Sequence, residues 1–143
     1  MQRVILFFIL IGIQVCTLTT FAQVSQQEWV SIYNGPGNNY DEAHSIAVDG
    51  LGNVYVTGAS KTGTGAGTED FTTIKYDVAG VEQWVSRYNG PGNGYDEAFD
   101  IAVDDSGNVY VTGFSLGIGT GYDYATVKYN SAGVQQWASR YNA

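Results

Sequence analysis

The sequence predicts an all-β chain made of two copies of one four-stranded unit, and two observations carry that expectation. First, Tyr33–Ala43 (Tyr-Asn-Gly-Pro-Gly-Asn-x-Tyr-Asp-Glu-Ala) recurs as Tyr88–Ala98, and Gly52–Gly58 (Gly-Asn-Val-Tyr-Val-Thr-Gly) recurs as Gly107–Gly113. The tryptophans mark the period, with 55 residues from Trp29 to Trp84 and 53 from Trp84 to Trp137. That lies at or above the top of the roughly 20 to 50 residue range of repeats that fold as stacked supersecondary units. Second, turn residues split each copy into four short extended runs, and no window longer than about ten residues keeps a helical apolar period.

Residues 1–22 are set apart from the repeats. Arg3 precedes an apolar run from Val4 to Ile13, which Gln14 interrupts well short of the roughly 20 apolar residues a membrane helix needs. Thr20-Phe21-Ala22 offers small residues at the first and third positions of a cleavage site, so the segment reads as a signal peptide. The protein is then expected to be exported, to the periplasm, the cell envelope or the extracellular space, as residues 23–143. Cys16, the single cysteine, falls inside this leader. Ile13-Gln14-Val15 ahead of it lacks the small residue required directly before a lipoprotein cysteine. Without Cys16 the exported chain has no thiol for a disulfide or a thiolate-held metal.

The repeat region opens on a lone element, because Trp29–Tyr33 matches only the fourth run of a unit; one extra strand is expected over residues 28–34. The first whole unit covers about 41–88. Its first two runs, Ile46–Asp49 and Asn53–Gly58, flank Gly50-Leu51-Gly52, where a glycine supplies the positive φ that closes a hairpin. The third run, Phe71–Tyr76, and the fourth, Gln83–Tyr88, are joined through Gly80. The second unit, about 96–141, repeats the plan as Ile101–Asp104, Asn108–Gly113, Tyr124–Tyr129 and Gln136–Tyr141, with turns at Asp105-Ser106-Gly107 and Gly133. The connection between runs two and three differs in length, Ala59 to Glu69 against Phe114 to Tyr122, as a surface loop does.

Alternation then says how the units pack. Along the fourth run Trp84, Ser86 and Tyr88 share one face and Val85 and Arg87 the other, repeated by Trp137, Ser139 and Tyr141; along the second, Val54 and Val56 oppose Tyr55 and Thr57. Apolar or aromatic groups on both faces mean a sheet covered on both sides, as in blades stacked face to face.

A family resemblance emerges from these residues. Asp96-Glu97-Ala98, Ile101-Ala102-Val103-Asp104, Gly107 through Gly113, Tyr122 through Tyr129, Gly133 and Trp137 closely resemble the SBBP repeat, the β-propeller repeat of bacterial exported proteins. The first copy matches with Phe71 where the second has Tyr124. The resemblance implies propeller blades and no defined activity, and the fold expected is an incomplete β-propeller of two four-stranded antiparallel blades plus the N-terminal strand. Closed propellers carry roughly four to eight blades, so two leave broad faces and edges open. Either the chain is a piece of a longer propeller, or two-blade units associate into a ring, the extra strand completing a neighbour's blade.

Charge narrows the partners. The chain has six basic residues against 14 acidic, a net charge of −8, and loss of Arg3 deepens it. Nucleic acid and anionic membrane surfaces are therefore excluded as expected partners; a protein or glycan ligand, or self-association through blade faces or edge strands, remains.

The candidate chemistry reads mostly as structure. Asp41, Glu42 and Asp49, and Asp96, Glu97, Asp100, Asp104 and Asp105, offer oxygens that Ca²⁺ would accept, but lack the spacing of a calcium loop. Asp49 and Asp104 are expected to cap the turns before Gly52 and Gly107, and Asp41 and Asp96 to close the loops after Pro36 and Pro91. The glycine runs Gly63–Gly67 and Gly117–Gly121 lead into strands rather than helices, which excludes a phosphate loop. His44, the only histidine, is matched by Phe99 at the same position of the second copy, and a lone imidazole with no cysteine and no second histidine is a poor metal site. Ser45 beside it has no nucleophile elbow and becomes Asp100 in the second copy. Trp29, Trp84 and Trp137 with Tyr33, Tyr88 and Tyr141 are expected as core between blades rather than a sugar platform. Lys75 and Lys128 are assigned to structural salt bridges with Asp70 and Asp123 or with the next blade. The expectation is thus a non-catalytic repeat protein with a structural or binding role, with no cofactor, no metal and no catalytic residue. A glycan- or Ca²⁺-binding module and a glycan-active enzyme are the alternatives.

Overall fold

A computed structural model describes residues 27–142; the signal peptide expected over residues 1–22, with Cys16, lies outside the described residues. Two four-stranded antiparallel sheets follow one another along the chain. Blade 1 is β1 (Asp41–Val48), β2 (Val54–Lys61), β3 (Glu69–Tyr76) and β4 (Glu82–Tyr88); blade 2 is β5 (Asp96–Val103), β6 (Val109–Gly117), β7 (Gly121–Tyr129) and β8 (Gln135–Tyr141). Each sheet is a simple meander in chain order. The runs read from the sequence lie in strands except at Asp49, Asn53, Asp104 and Asn108, which belong to the turns, but β1 and β5 begin five residues earlier than expected, and β2 and β6 run on into the glycine-rich connections. The loops shrink accordingly to residues 62–68 and 118–120. The early halves of β1 and β5 are charged, and their ladder bonds, not their side chains, make them strands.

Repeated turn chemistry explains why the chain reverses where it does. Asp49 Oδ1 accepts from the amides of Leu51 and Asn53, both at 2.9 Å, and Oδ2 from Asn53 Nδ2 at 2.8 Å and the Tyr55 hydroxyl at 3.0 Å. Asp104 does the same with Ser106, Asn108 and Tyr110. The β3–β4 and β7–β8 turns use Asp77 and Asn130 in the equivalent role. A side chain that mimics a turn's backbone acceptor fixes register at each hairpin.

The register sorts each blade into two faces. Ile46, Val56, Ile74 and Val85 lie opposite one another, as do Ala47, Tyr55, Lys75 and Trp84; blade 2 repeats these as Ile101, Val111, Val127 and Ala138, and as Ala102, Tyr110, Lys128 and Trp137. Every blade therefore has an aliphatic face and an aromatic face. The core forms where the aromatic face of blade 1 meets the aliphatic face of blade 2: Tyr55, Phe71 and Tyr88 against Ile101, Val109, Val111, Ala125, Val127 and Tyr129. Trp84 is the central peg, its ring between Tyr55 at 6.1 Å and Tyr129 at 6.4 Å. Its indole N–H donates to Ser131 O at 3.2 Å, and it rests over Gly133, where a Cβ would come within 2.6 Å of the ring.

Residues 28–34 differ from the expected extra strand, for they form no ladder. A fourth strand needs a third to pair with, and none precedes them among the described residues. They nonetheless stand where a preceding blade's fourth strand would: Trp29 stacks on Tyr76 at 6.0 Å and over Gly80, as Trp84 does on Tyr129 and over Gly133. The Tyr33 hydroxyl meets Arg87 as Tyr88 meets Arg140.

Candidate functional site at the seam between the blades

At the edge of the seam β1 runs beside β5, and each carries a register shift, at His44 and at Phe99. An extra residue on one strand kinks it and re-aims its side chain. Gly58 and Gly113 face these bulges because a Cβ on either would collide with the carbonyl oxygen of Glu42 or Glu97. The His44 ring turns toward the second blade, edge-on to Phe99 at 5.6 Å, and its Nε2 lies 2.8 Å from Glu97 Oε1 and 3.9 Å from Glu42 Oε2. That nitrogen is buried yet makes no aligned hydrogen bond. Ligand atoms of Glu42, His44 and Glu97 all lie within 4.8 Å of one another.

Each carboxylate is held by the tyrosine two residues before it. Tyr95 donates to Glu97 Oε2 at 2.6 Å, leaving Oε1 toward the imidazole, and Tyr40 donates to Glu42 Oε2. Both phenols are pushed up from their ordinary value, chiefly by these hydrogen bonds and then by burial, so they stay protonated donors. Sequence reasoning set His44 aside for want of a second histidine or a cysteine. Glu97, 53 residues further on, becomes visible as its partner only once the blades stack. The one available signal was that His44 breaks an otherwise repeated Asp-Glu-Ala-x frame.

Of the other acidic candidates, Asp41, Asp49, Asp96, Asp100 and Asp104 have structural partners. Asp41 Oδ2 accepts from Gly35 N at 2.9 Å, and Asp96 from Gly90 N at 2.7 Å and Leu116 N at 2.9 Å, which closes the proline loops as expected. Asp100 accepts from Ser45 at 3.0 Å across the seam. A groove of about 480 Å³ between the blades' turn ends includes Asp49 and Asp104, whose oxygens are already engaged in turns.

The lysine pairings are corrected. Lys75 and Asp70 sit five residues apart on β3, about 16 Å along the strand and on opposite faces. Lys75 instead lies over the Tyr55 ring at 5.2 Å and Lys128 over Tyr110 at 5.1 Å. Arg140 takes the place expected of Lys128, pairing with Asp123 at 2.8 Å and also reaching Ser115 O at 2.9 Å, while Arg87 donates to Ser60 and Thr72, each at 3.1 Å.

Two surfaces remain open. The aliphatic face of blade 1 forms a groove of about 280 Å³ with Ile46, Val54, Val56, Ile74 and Tyr76 in its wall, partly covered by Trp29 and Tyr33. The aromatic face of blade 2 is bare: Tyr124 is 72% and Tyr141 65% exposed, although their counterparts Phe71 and Tyr88 are 0% and 9% exposed. A protein-family model described as a β-propeller repeat matches residues 28–62 and 83–119. No curated protein matches the chain.

Proposed function

The chain belongs to the SBBP family of β-propeller repeats, and from that premise we propose that it is an exported, non-catalytic structural or binding protein that acts by stacking blade on blade. The single observation behind this reading is that the molecule leaves open one surface of each kind that it joins internally. Its own seam buries an aromatic face against an aliphatic one. Blade 2 presents a second aromatic face, with Trp137 43% exposed, and blade 1 a second aliphatic face, with Ile46 65% exposed. Apolar surface of this extent in water drives association, and a head-to-tail contact repeats without self-limiting unless the rotation closes a ring.

The seat for an incoming Trp137 is already built, since Tyr76 and Gly80 hold Trp29 as Tyr129 and Gly133 hold Trp84. Residues 28–34 thus act as a placeholder that an arriving β8 displaces. The non-catalytic reading is supported by the carboxylates, because the pairs repeated between blades are engaged by turn amides and tyrosine hydroxyls. Sedimentation velocity over a range of concentrations tests the stacking. The wild-type chain is expected to associate and Trp137→Ala to remain a β-rich monomer, whereas equal behaviour of the two would reject this face as the contact.

The exposed Tyr122, Tyr124, Trp137 and Tyr141 favour one second reading, a platform on which neutral sugar rings stack. Saturable quenching of tryptophan fluorescence by a soluble polysaccharide, lost in Trp137→Ala while the mass stays unchanged, would select it over stacking.

A further inference from the structure

We propose that Glu42, His44 and Glu97 form a divalent-cation site, of the kind that suits Zn²⁺, which clips blade 1 to blade 2. The three donors come from both blades and converge within 4.8 Å. Tetrahedral Zn²⁺, with bonds of about 2.0 to 2.2 Å, holds its ligand atoms roughly 3.3 Å apart. The His44 separations of 2.8 Å from Glu97 Oε1 and 3.9 Å from Glu42 Oε2 bracket that value and the three donors lie within 4.8 Å of one another, so side-chain movements of roughly 1 to 1.5 Å would complete the geometry.

A second observation points to a ligand rather than a simple ion pair. His44 Nε2 is buried and unbonded even though a carboxylate oxygen is 2.8 Å away, because that oxygen lies off the direction of a ring N–H. A buried polar nitrogen left this way is costly, and a cation between nitrogen and oxygens satisfies all three groups at once. The surrounding shell is also that of a metal centre. Tyr40 and Tyr95 orient the two carboxylates, and Phe99 walls the imidazole on its apolar side.

Donor chemistry selects the ion class. One imidazole and two carboxylates make a borderline set that favours Zn²⁺ over Ca²⁺, which wants six to eight oxygens. Three protein ligands leave one position for water or for a donor from another molecule. Blade 2 has Phe99 where blade 1 has His44, so the site belongs to this seam and is not repeated.

The test is titration of tag-free protein with Zn²⁺ by calorimetry, followed by Co²⁺ substitution and visible absorption. The expected result is one Zn²⁺ per chain, visible bands of four-coordinate Co²⁺, and a melting temperature raised by roughly 8 °C at about a hundredfold excess over the dissociation constant. His44→Phe installs the residue blade 2 carries at this position and should keep the fold while losing binding and the Co²⁺ bands. Glu97→Gln keeps the Tyr95 contact and should weaken binding at least tenfold. Absence of Zn²⁺ binding to wild type, or undiminished binding in both variants, would overturn the proposal, the latter marking adventitious surface carboxylates.

Discussion

Asp70 and Asp49 are the same chemical group in opposed environments, and pH separates them. Burial drives the Asp70 carboxyl up to about 6, with the Asp96 charge adding to the effect and Arg87 opposing it. The native state therefore holds this proton to higher pH than the unfolded chain, and Asp70 costs stability progressively as pH rises from 3.8 to about 6. For Asp49, burial also raises the carboxyl, but the side-chain and backbone donors of Asn53, with Leu51 N–H and Tyr55 O–H, outweigh it and bring the group down to about 2. Its contribution is present above 3.8 and is lost as pH falls toward about 2. Urea midpoints measured across pH should thus show Asp70→Asn more stable than wild type above pH 6, by at most about 3 kcal/mol. The same variant should lose the decline between 3.8 and about 6. Asp49→Asn, which still accepts turn amides, should flatten the acid limb below 3.8. A wild-type curve flat across the upper interval would show that Asp70 is not held in this desolvated state.

Among the elements, β4 and β8 have nearly the same sequence and different energetic weight. Trp84 on β4 is wedged between Tyr55 and Tyr129 over Gly133, whereas Trp137 on β8 touches Tyr110 and solvent. Denaturant unfolding of Trp84→Ala should lose about 3 to 5 kcal/mol, and the same change at Trp137 under 1 kcal/mol or so when the chain is monomeric. Gly133→Ala should be nearly as severe as Trp84→Ala, because φ is +77° there and the added carbon would meet Trp84 Cδ2 at 2.6 Å. Comparable losses at both tryptophans would contradict the assigned seam. The eight strands and their turns were legible in the sequence, since alternation and the turn residues Asp49, Asp104, Gly80 and Gly133 are local signals. Early β1 and β5 were not, because Asp41-Glu42 and Asp96-Glu97 look like loop and only the ladder makes them strand. Likewise the partners of Lys75 and His44 depend on strand register and on blade stacking, which no spacing along the chain encodes. The Trp29 segment was legible as a fourth-strand sequence, but strand formation needs a neighbour that sequence similarity does not supply.

On the scale of the whole molecule, repetition makes the interior a template for the exterior. The seam that buries Tyr55, Phe71 and Trp84 against Val109, Val111 and Val127 is one instance of a joint whose two halves also stand open at the outer faces. Net charge of −8 opposes close approach of copies, so association should strengthen with ionic strength over the physiological range. Trp29→Ala, which loosens the placeholder from Tyr76 and Gly80, should increase association at a given concentration, and Trp137→Ala should abolish it. The most direct test is the solution mass of the chain from Gln23 onward, taken by light scattering after size exclusion, with circular dichroism on the same peak. Head-to-tail stacking predicts a β-rich species of several chains whose mass grows with concentration or settles at one closed ring. A β-rich monomer at every concentration would contradict it.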